Sequence, residues 1–108
     1  MFKNETYYNL ELLLLALLSK SDIDCFEICD IINRETHEHI KAKDGVLFTI
    51  LYHFENSKLI SSYQHNQCLY YHIENAGKVR FDMLLREFEN HTQDIHHILN
   101  YTAKEDES

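Results

Sequence analysis

The apolar residues in the first half of the chain recur with helical spacing in three segments. Residues Asn9–Ser19 form a leucine-rich run that is apolar nearly all round, which predicts a buried helix. Ser21 and Asp22 mark a turn and the start of a second helix, predicted over Ile23–Arg34. A third, amphipathic helix is predicted over Lys43–Asn56. The apolar positions predicted for the second and third helices are Cys25, Phe26, Cys29, Ile31, Ile32, Leu47, Ile50, Leu51 and Phe54.

The spacing of apolar residues then changes from helical to alternating. Leu59–Tyr63 and Cys68–Ile73 are short segments rich in residues that favour strands, and the intervening Gln64–Gln67 is polar. Together they predict a two-stranded hairpin with a polar turn. Such a hairpin needs helices packed against it to be stable.

A long amphipathic helix is predicted at the end of the chain, from Asn75 or Ala76 to Tyr101. Its nearest apolar residues are expected to pack on the first helix. The apolar residues further along this helix are too many for so small a core. A spare apolar helix face of this kind is usually buried against another chain. We therefore predict a dimer with contacts at Leu84, Leu85, Phe88, His91, Ile95, Ile98 and Leu99.

The order of these elements predicts the fold class. Three helices followed by a hairpin is the layout of a winged helix-turn-helix, in which the second and third helices form the helix-turn-helix pair and the hairpin is the wing. The expected architecture is mainly α with a small β-hairpin. We predict a winged helix-turn-helix domain over residues 1–74, a dimerisation helix over 75–102 and a disordered acidic tail over 103–108.

Composition excludes several classes of protein. A chain of 108 residues fits one domain, and two glycines with no proline supply neither the turns of a β-sandwich nor a phosphate-binding glycine loop. The longest apolar run, Leu12–Leu18, is seven residues and too short to span a membrane. No catalytic motif is present, so we predict neither enzyme activity nor a cofactor. Three cysteines and no export signal predict a cytoplasmic location.

Eight histidines raise the alternative of a metal site. His37 and His39 lie in a predicted loop, whereas His96 and His97 are adjacent on a helix and point about 100° apart, so they do not easily share one ion. Cys25 and Cys29 are four residues apart on a helix, but they occupy apolar positions, where free cysteine behaves as a small hydrophobic residue. A structural zinc site normally needs four clustered ligands. We therefore predict no metal.

The formal charge of −8 is concentrated in the two ends of the chain. Residues 1–36 carry −4 and residues 81–108 carry −5, whereas residues 37–80 carry +1. The middle is therefore the segment that can approach phosphate without strong repulsion.

The leucine-rich first helix and four further motifs, in the right order and at the right spacing, resemble those of the PadR family of bacterial transcriptional regulators, over roughly Asn9–Phe88. The family opens with a leucine-rich helix like the one here. In the second helix, Asp24–Glu27 (DCFE) resembles a His-Gly-Tyr-Glu run of the family. In and after the third helix, Gly45–Leu51 (GVLFTIL) resembles the signature Gly-Thr-Leu-Tyr-x-x-Leu, and Phe54–Ile60 (FENSKLI) resembles Leu-Glu-x-x-Gly-Leu-Ile. At the end of the wing, Tyr70–Gly77 (YYHIENAG) resembles Tyr-Tyr-x-Leu-Thr-x-x-Gly.

The resemblance implies a cytoplasmic, dimeric winged-helix regulator of transcription, commonly a repressor, of the small type with a single C-terminal helix. It also implies operator DNA as a partner and, as in some members, a small aromatic effector near the dimer interface. In this interpretation the third helix enters the major groove, and lysines at its start meet phosphate. The predicted DNA-binding residues are Lys41, Lys43, Val46, Thr49, Tyr52, His53, Gln64, His65 and Asn66.

The chain departs from the family pattern on the surface that would meet DNA. Tyr52 and His53 stand where the family usually has lysine or arginine, Phe48 replaces the signature tyrosine, and Lys58 replaces a turn glycine. The turn of the wing has no charge. These departures leave an alternative open: a degenerate winged helix with little affinity for DNA that acts as a protein–protein interaction module.

Overall fold

Four helices and a small antiparallel sheet make up the structure, a computed structural model that describes residues 5–40 and 43–102 and, within them, the side chains of residues 10–40, 43 and 45–102. The predicted fold class, mainly helical with a wing, is confirmed. The elements are α1 (Glu5–Leu18), β1 (Ile23–Asp24), α2 (Cys25–Glu35), α3 (Asp44–Asn56), β2 (Ile60–His65), β3 (Cys68–Ile73) and α4 (Asn75–Leu99).

Helix α1 supplies much of the hydrophobic core. Its leucines are spaced so densely that side chains on most sides of the helix are buried, as predicted from the leucine-rich run. The helix begins at Glu5, four residues before the predicted start. The residues with the least accessible side chains are Leu10, Leu14, Leu15, Leu18, Ile28, Leu47, Ile50, Leu51 and Ile60.

Helix α2 begins two residues later than predicted. Asp24 is its N-cap, and the Asp24 carboxylate accepts hydrogen bonds from the backbone N–H groups of Phe26 at 2.9 Å and Glu27 at 3.0 Å. Ile23 and Asp24 form the short strand β1 instead of the first turn of the helix. The prediction that the helix starts at Ile23 was therefore wrong, because pairing with a strand far along the chain decides the conformation of these two residues.

Phe26 is also placed differently from the prediction, which assigned it to the apolar side of the second helix. Its side chain is 70% exposed. Cys25, Ile28 and Ile32 lie on the buried side, and successive helical residues point about 100° apart, so Phe26 faces away from that side.

The sheet has three strands in the order β1-β3-β2, all antiparallel. The predicted hairpin of β2 and β3 is present. In addition, β1 pairs with the other edge of β3, with Ile23 opposite Tyr71. The strands continue to His65 and Cys68, so the turn is narrower than the predicted Gln64–Gln67. It consists of Asn66 and Gln67, at φ 51° and 65°, as in the two-residue turns that suit twisted hairpins.

Helix α4 belongs to the core only along its first half. It packs against α1, and Leu84 is buried there. From residue 86 to 102, every residue except Thr92 is exposed. Among the described residues, almost none therefore covers the distal half of α4. The predicted tail, residues 103–108, lies outside the described residues.

Candidate nucleic-acid interface

The start of α3 places an exposed cation at the positive end of a helix dipole. Lys43 is the N-cap residue, and its carbonyl oxygen accepts the Leu47 N–H at 3.0 Å. Its side chain makes no capping hydrogen bond. A lysine here does not stabilise the helix, but it adds to the attraction of the helix N-terminus for an anion.

The outer face of α3 is exposed along most of its length. The side of α3 that faces the core carries the apolar residues predicted for it, Leu47, Ile50, Leu51 and Phe54. Because these residues are buried, the opposite side of the helix faces solvent. The Thr49 hydroxyl donates to the carbonyl oxygen of Gly45 at 2.9 Å. The residues exposed on this helix include Val46, Phe48, Thr49, Tyr52, His53, Glu55 and Asn56.

The tip of the wing is polar and exposed. Gln64, His65, Asn66 and Gln67 are all accessible to solvent, and the Asn66 side-chain amide lies 3.2 Å from His65 Nε2. Aromatic rings cover one face of the hairpin behind the tip. Tyr63 stacks on Tyr70 with ring centroids 5.7 Å apart, which favours an ordered wing.

Two short hydrogen bonds join the base of the wing to helices. Ser62 donates to Glu55 Oε2 on α3 at 2.6 Å, and Ser61 donates to Glu74 Oε2, at the start of α4, at 2.6 Å. The first of these bonds connects the wing directly to the helix whose outer face is exposed. Helix and wing are therefore held as one surface.

A third connection centres on Asp22, which precedes β1. Its carboxylate accepts the Tyr63 hydroxyl at 2.6 Å and lies 2.8 Å from His72 Nδ1. The hydrogen bond from Tyr63, together with His72, lowers the pKa of Asp22, and the same bond raises the pKa of Tyr63. Sequence analysis placed Asp22 in a turn and missed this role, because its partners are 41 and 50 residues away along the chain.

Helix α4 carries most of the residues predicted for dimerisation on its exposed half. Phe88, Ile95, Ile98 and Leu99 are exposed, and His91 lies among them. Leu85 is half-buried against the core. Leu84 is buried within its own chain, which leaves little of its side chain exposed for contact with a partner.

An apolar groove lies on the surface where α1 and α4 meet. Its volume is about 310 Å³, and its lining is almost entirely apolar. The groove is lined by Leu12, Leu13, Ala16, Ile40, Phe81, Leu85 and Phe88.

Within residues 5–40 and 43–102, no three histidine, cysteine or acidic side chains are grouped closely enough to hold a metal ion. Burial raises the pKa of the Cys25 thiol, which makes it a poor ligand and nucleophile. Among the helices in the described ranges, none combines the length and apolar character that a membrane crossing requires.

No protein-family model matches the chain, and no curated protein sequence matches it. Solved structures do match. A transcriptional regulator from Clostridium thermocellum superposes with a TM-score of 0.79 at 22% identity, over 89% of this chain and 96% of the other. A PadR-family transcription regulator from hypervirulent Clostridium difficile superposes with a TM-score of 0.73 at 25% identity, over 84% and 98%. The chain has the PadR fold.

PadR from Bacillus subtilis also resembles the chain and has been solved with ligands. Its complex with operator DNA superposes with a TM-score of 0.62 at 20% identity, covering 71% of this chain and 45% of that one. Another structure of the same protein contains p-coumaric acid. The neighbours from the two Clostridium species are transcriptional regulators, in agreement with the prediction that this chain is not an enzyme.

The PadR-like structure brings together part of the predicted DNA-binding set. Lys43, Val46, Thr49, Tyr52 and His53 are exposed on α3. Gln64, His65 and Asn66 are exposed on the wing, which Ser62 connects to the same helix. Lys41 lies outside the described residues. Sequence analysis left the exposed Phe48 out of this set, although the helical spacing of its buried neighbours already pointed it away from the core.

Proposed function

We propose that this chain is a PadR-like transcriptional regulator that acts in the cytoplasm as a dimeric repressor on a palindromic operator. The observation that carries the proposal is the exposed outer face of α3, which is joined to an exposed wing and has Lys43 at its start. An exposed helix of this kind beside a wing is the element that winged-helix proteins insert into the major groove. The operator complex of Bacillus subtilis PadR supports the same role for a related fold.

The charges around α3 favour phosphate contacts at its two ends. Lys43 precedes the helix and Lys58 follows it, and both side chains are exposed. Because the flanking segments of the chain are acidic, these few cations would supply most of the attraction to the DNA backbone. We therefore expect an affinity that is modest and sensitive to salt.

The distal half of α4 supports the proposed homodimer. It exposes Phe88, Ile95, Ile98 and Leu99 to solvent, and the rest of the described structure does not cover them. An exposed apolar surface of this kind is usually covered by another protein surface. A two-fold dimer would present two copies of α3, which matches a palindromic site.

The apolar groove between α1 and α4 supports a small aromatic effector near the dimer interface. Phe81 and Phe88 line it, and its volume lies at the lower end of the range typical of ligand pockets. Bacillus subtilis PadR with p-coumaric acid shows that a related fold binds such a compound. The competing hypothesis, a winged helix that acts only through protein partners, is not favoured by the comparisons.

The proposal is tested by selecting genomic DNA fragments with the purified full-length chain at low and at moderate salt. We expect enrichment of one palindromic sequence that persists at moderate salt. Lys43→Ala should weaken binding to that site and reduce the salt slope by about two units, because a dimer on a palindrome loses one phosphate contact in each of its two half-sites.

Arg86→Ala is the matched control, because it also removes one exposed cation but from α4. It should leave the salt slope unchanged. Enrichment of no sequence, or binding without sequence preference only at low salt, would contradict the proposed function.

A further inference from the structure

The outer face of α3 is unusual for a helix that would meet DNA. Val46, Phe48 and Tyr52 are 39%, 41% and 63% exposed. Thr49 lies between them, and its hydroxyl is already used in the hydrogen bond to the Gly45 carbonyl oxygen. Thr49 therefore offers a partner its γ-methyl group and the hydroxyl oxygen as an acceptor, but no free donor. A Cβ added at Gly45 would meet nothing within 4 Å, so this part of the face is open to close approach.

The helix itself carries no lysine or arginine. Between Asp44 and Asn56 the sequence has neither residue, and the nearest cations, Lys43 and Lys58, lie just beyond its two ends. Arginine and lysine make the commonest specific contact to guanine, through its O6 and N7 atoms. The outer face of α3 has no lysine or arginine to make that contact, whereas the cations at its ends are placed for phosphate.

We propose that the N-terminal half of α3 recognises thymine methyl groups in the major groove of an A·T-rich half-site. This inference rests on the proposed function and specifies what the same surface reads. Thymine is the base that presents a methyl group in the major groove, and apolar side chains contact it there. Val46, Phe48 and Thr49 provide the apolar groups, and the N-terminal residues of a recognition helix are those that reach base edges.

The first test changes the DNA and leaves the protein intact, so it does not depend on the folding of a variant. The full-length chain selects its half-site from a randomised duplex library. Each thymine of the selected site is then replaced in turn by deoxyuridine, which lacks the 5-methyl group and keeps the same base pairing. We expect at least one replacement in each half-site to weaken binding by about fourfold, the loss that corresponds to one buried methyl group.

The second test changes one methyl group on the protein. Thr49→Ser removes the γ-methyl and keeps the hydroxyl that bonds the Gly45 carbonyl oxygen, so the helix is preserved. This variant should bind the natural site about fourfold more weakly per half-site. It should also lose its sensitivity to deoxyuridine at one thymine, which identifies the contacted base.

Three outcomes separate the proposals. A selected site at which no deoxyuridine replacement weakens binding, or a guanine-rich site, would overturn thymine recognition and leave the proposed function standing. Failure to select any DNA sequence would overturn both. Binding of α3 to a protein partner, abolished by Val46→Asp in a chain that selects no DNA, would assign the same apolar face to protein recognition instead.

Discussion

The two glycines of the chain have opposite surroundings. Gly77, in the first turn of α4, is buried, and a Cβ added there would collide with the carbonyl oxygen of Leu59 and come within 2.7 Å of Ile73 Cγ1. The same carbonyl oxygen accepts the Glu74 N–H at 2.9 Å, so it cannot move without loosening that bond. Gly45 has open space around the corresponding position. One glycine is required by packing inside the chain, and the other is not.

We therefore expect Gly77→Ala to destabilise the fold by about 1–3 kcal/mol, because overpacking against backbone outweighs the better helix propensity of alanine. Gly45→Ala is the control. It adds the same methyl group at an exposed helical position and should leave the free energy of unfolding unchanged or raise it by up to about 1 kcal/mol. Urea unfolding of both variants measures the difference. Equal stabilities would show that the start of α4 does not pack as closely on Leu59 as the structure shows.

At the scale of elements, α3 ends in a motif that normally uses glycine. The Lys58 N–H donates to the Glu55 carbonyl oxygen at 3.1 Å, and the Leu59 N–H donates to that of Phe54 at 2.9 Å. This is the Schellman arrangement, in which the residue after the cap adopts a left-handed conformation. Here that residue is Lys58, at φ 66°. A residue with a Cβ is strained in this conformation.

Lys58→Gly should raise the free energy of unfolding by about 0.5–1 kcal/mol, because the relieved strain exceeds the extra chain entropy of glycine in the unfolded state. It should weaken operator binding as well, because a phosphate contact is lost. Lys58→Ala separates the two effects, since it removes the same charge and keeps the Cβ. Thermal unfolding and DNA titration of the pair provide the readout; a gain of stability in Lys58→Ala equal to that in Lys58→Gly would rule out strain as the cause.

At the scale of the whole molecule, the distal half of α4 is the part that extends furthest from the hydrophobic core. The described part is 68 Å along its longest axis and about 30 Å across the other two, because the distal half of α4 extends beyond the core. Ile98 and Leu99 are 69% and 72% exposed at its end. A second chain covering this surface would remove it from water, which is the driving force we assign to dimerisation.

Ile98→Glu should therefore raise the dimer dissociation constant by at least about 100-fold, because each of two copies loses the burial of a large apolar side chain. Gln93→Glu adds the same charge to the same exposed half of α4, away from the apolar residues, and should have little effect. Sedimentation equilibrium of the three proteins measures the constants. A wild-type chain that remains monomeric at high micromolar concentration would contradict the proposed dimer.

Patterns local to the chain were enough to predict the helices, the hairpin and their order. Burial follows a regular period within each element, so Leu47, Ile50, Leu51 and Phe54 could be assigned to the core from their spacing. Because these four residues define the buried side of α3, helical spacing also places Thr49 and Tyr52 on its exposed side. Length and apolar content likewise predicted that α4 has more apolar surface than its own core needs.

Contacts between distant segments decided the rest. Strand β1 exists because Ile23 and Asp24 pair with β3, and two residues are too few to leave a pattern in the sequence. Asp22 joins Tyr63 and His72 because that pairing brings them together. Leu84 and Leu99 are equally apolar and lie on the same helix, yet one is buried and the other exposed. Leu84 is buried because other elements pack beside it, whereas Leu99 lies beyond the point where those elements end. The spacing of apolar residues along one helix does not indicate where its neighbours end.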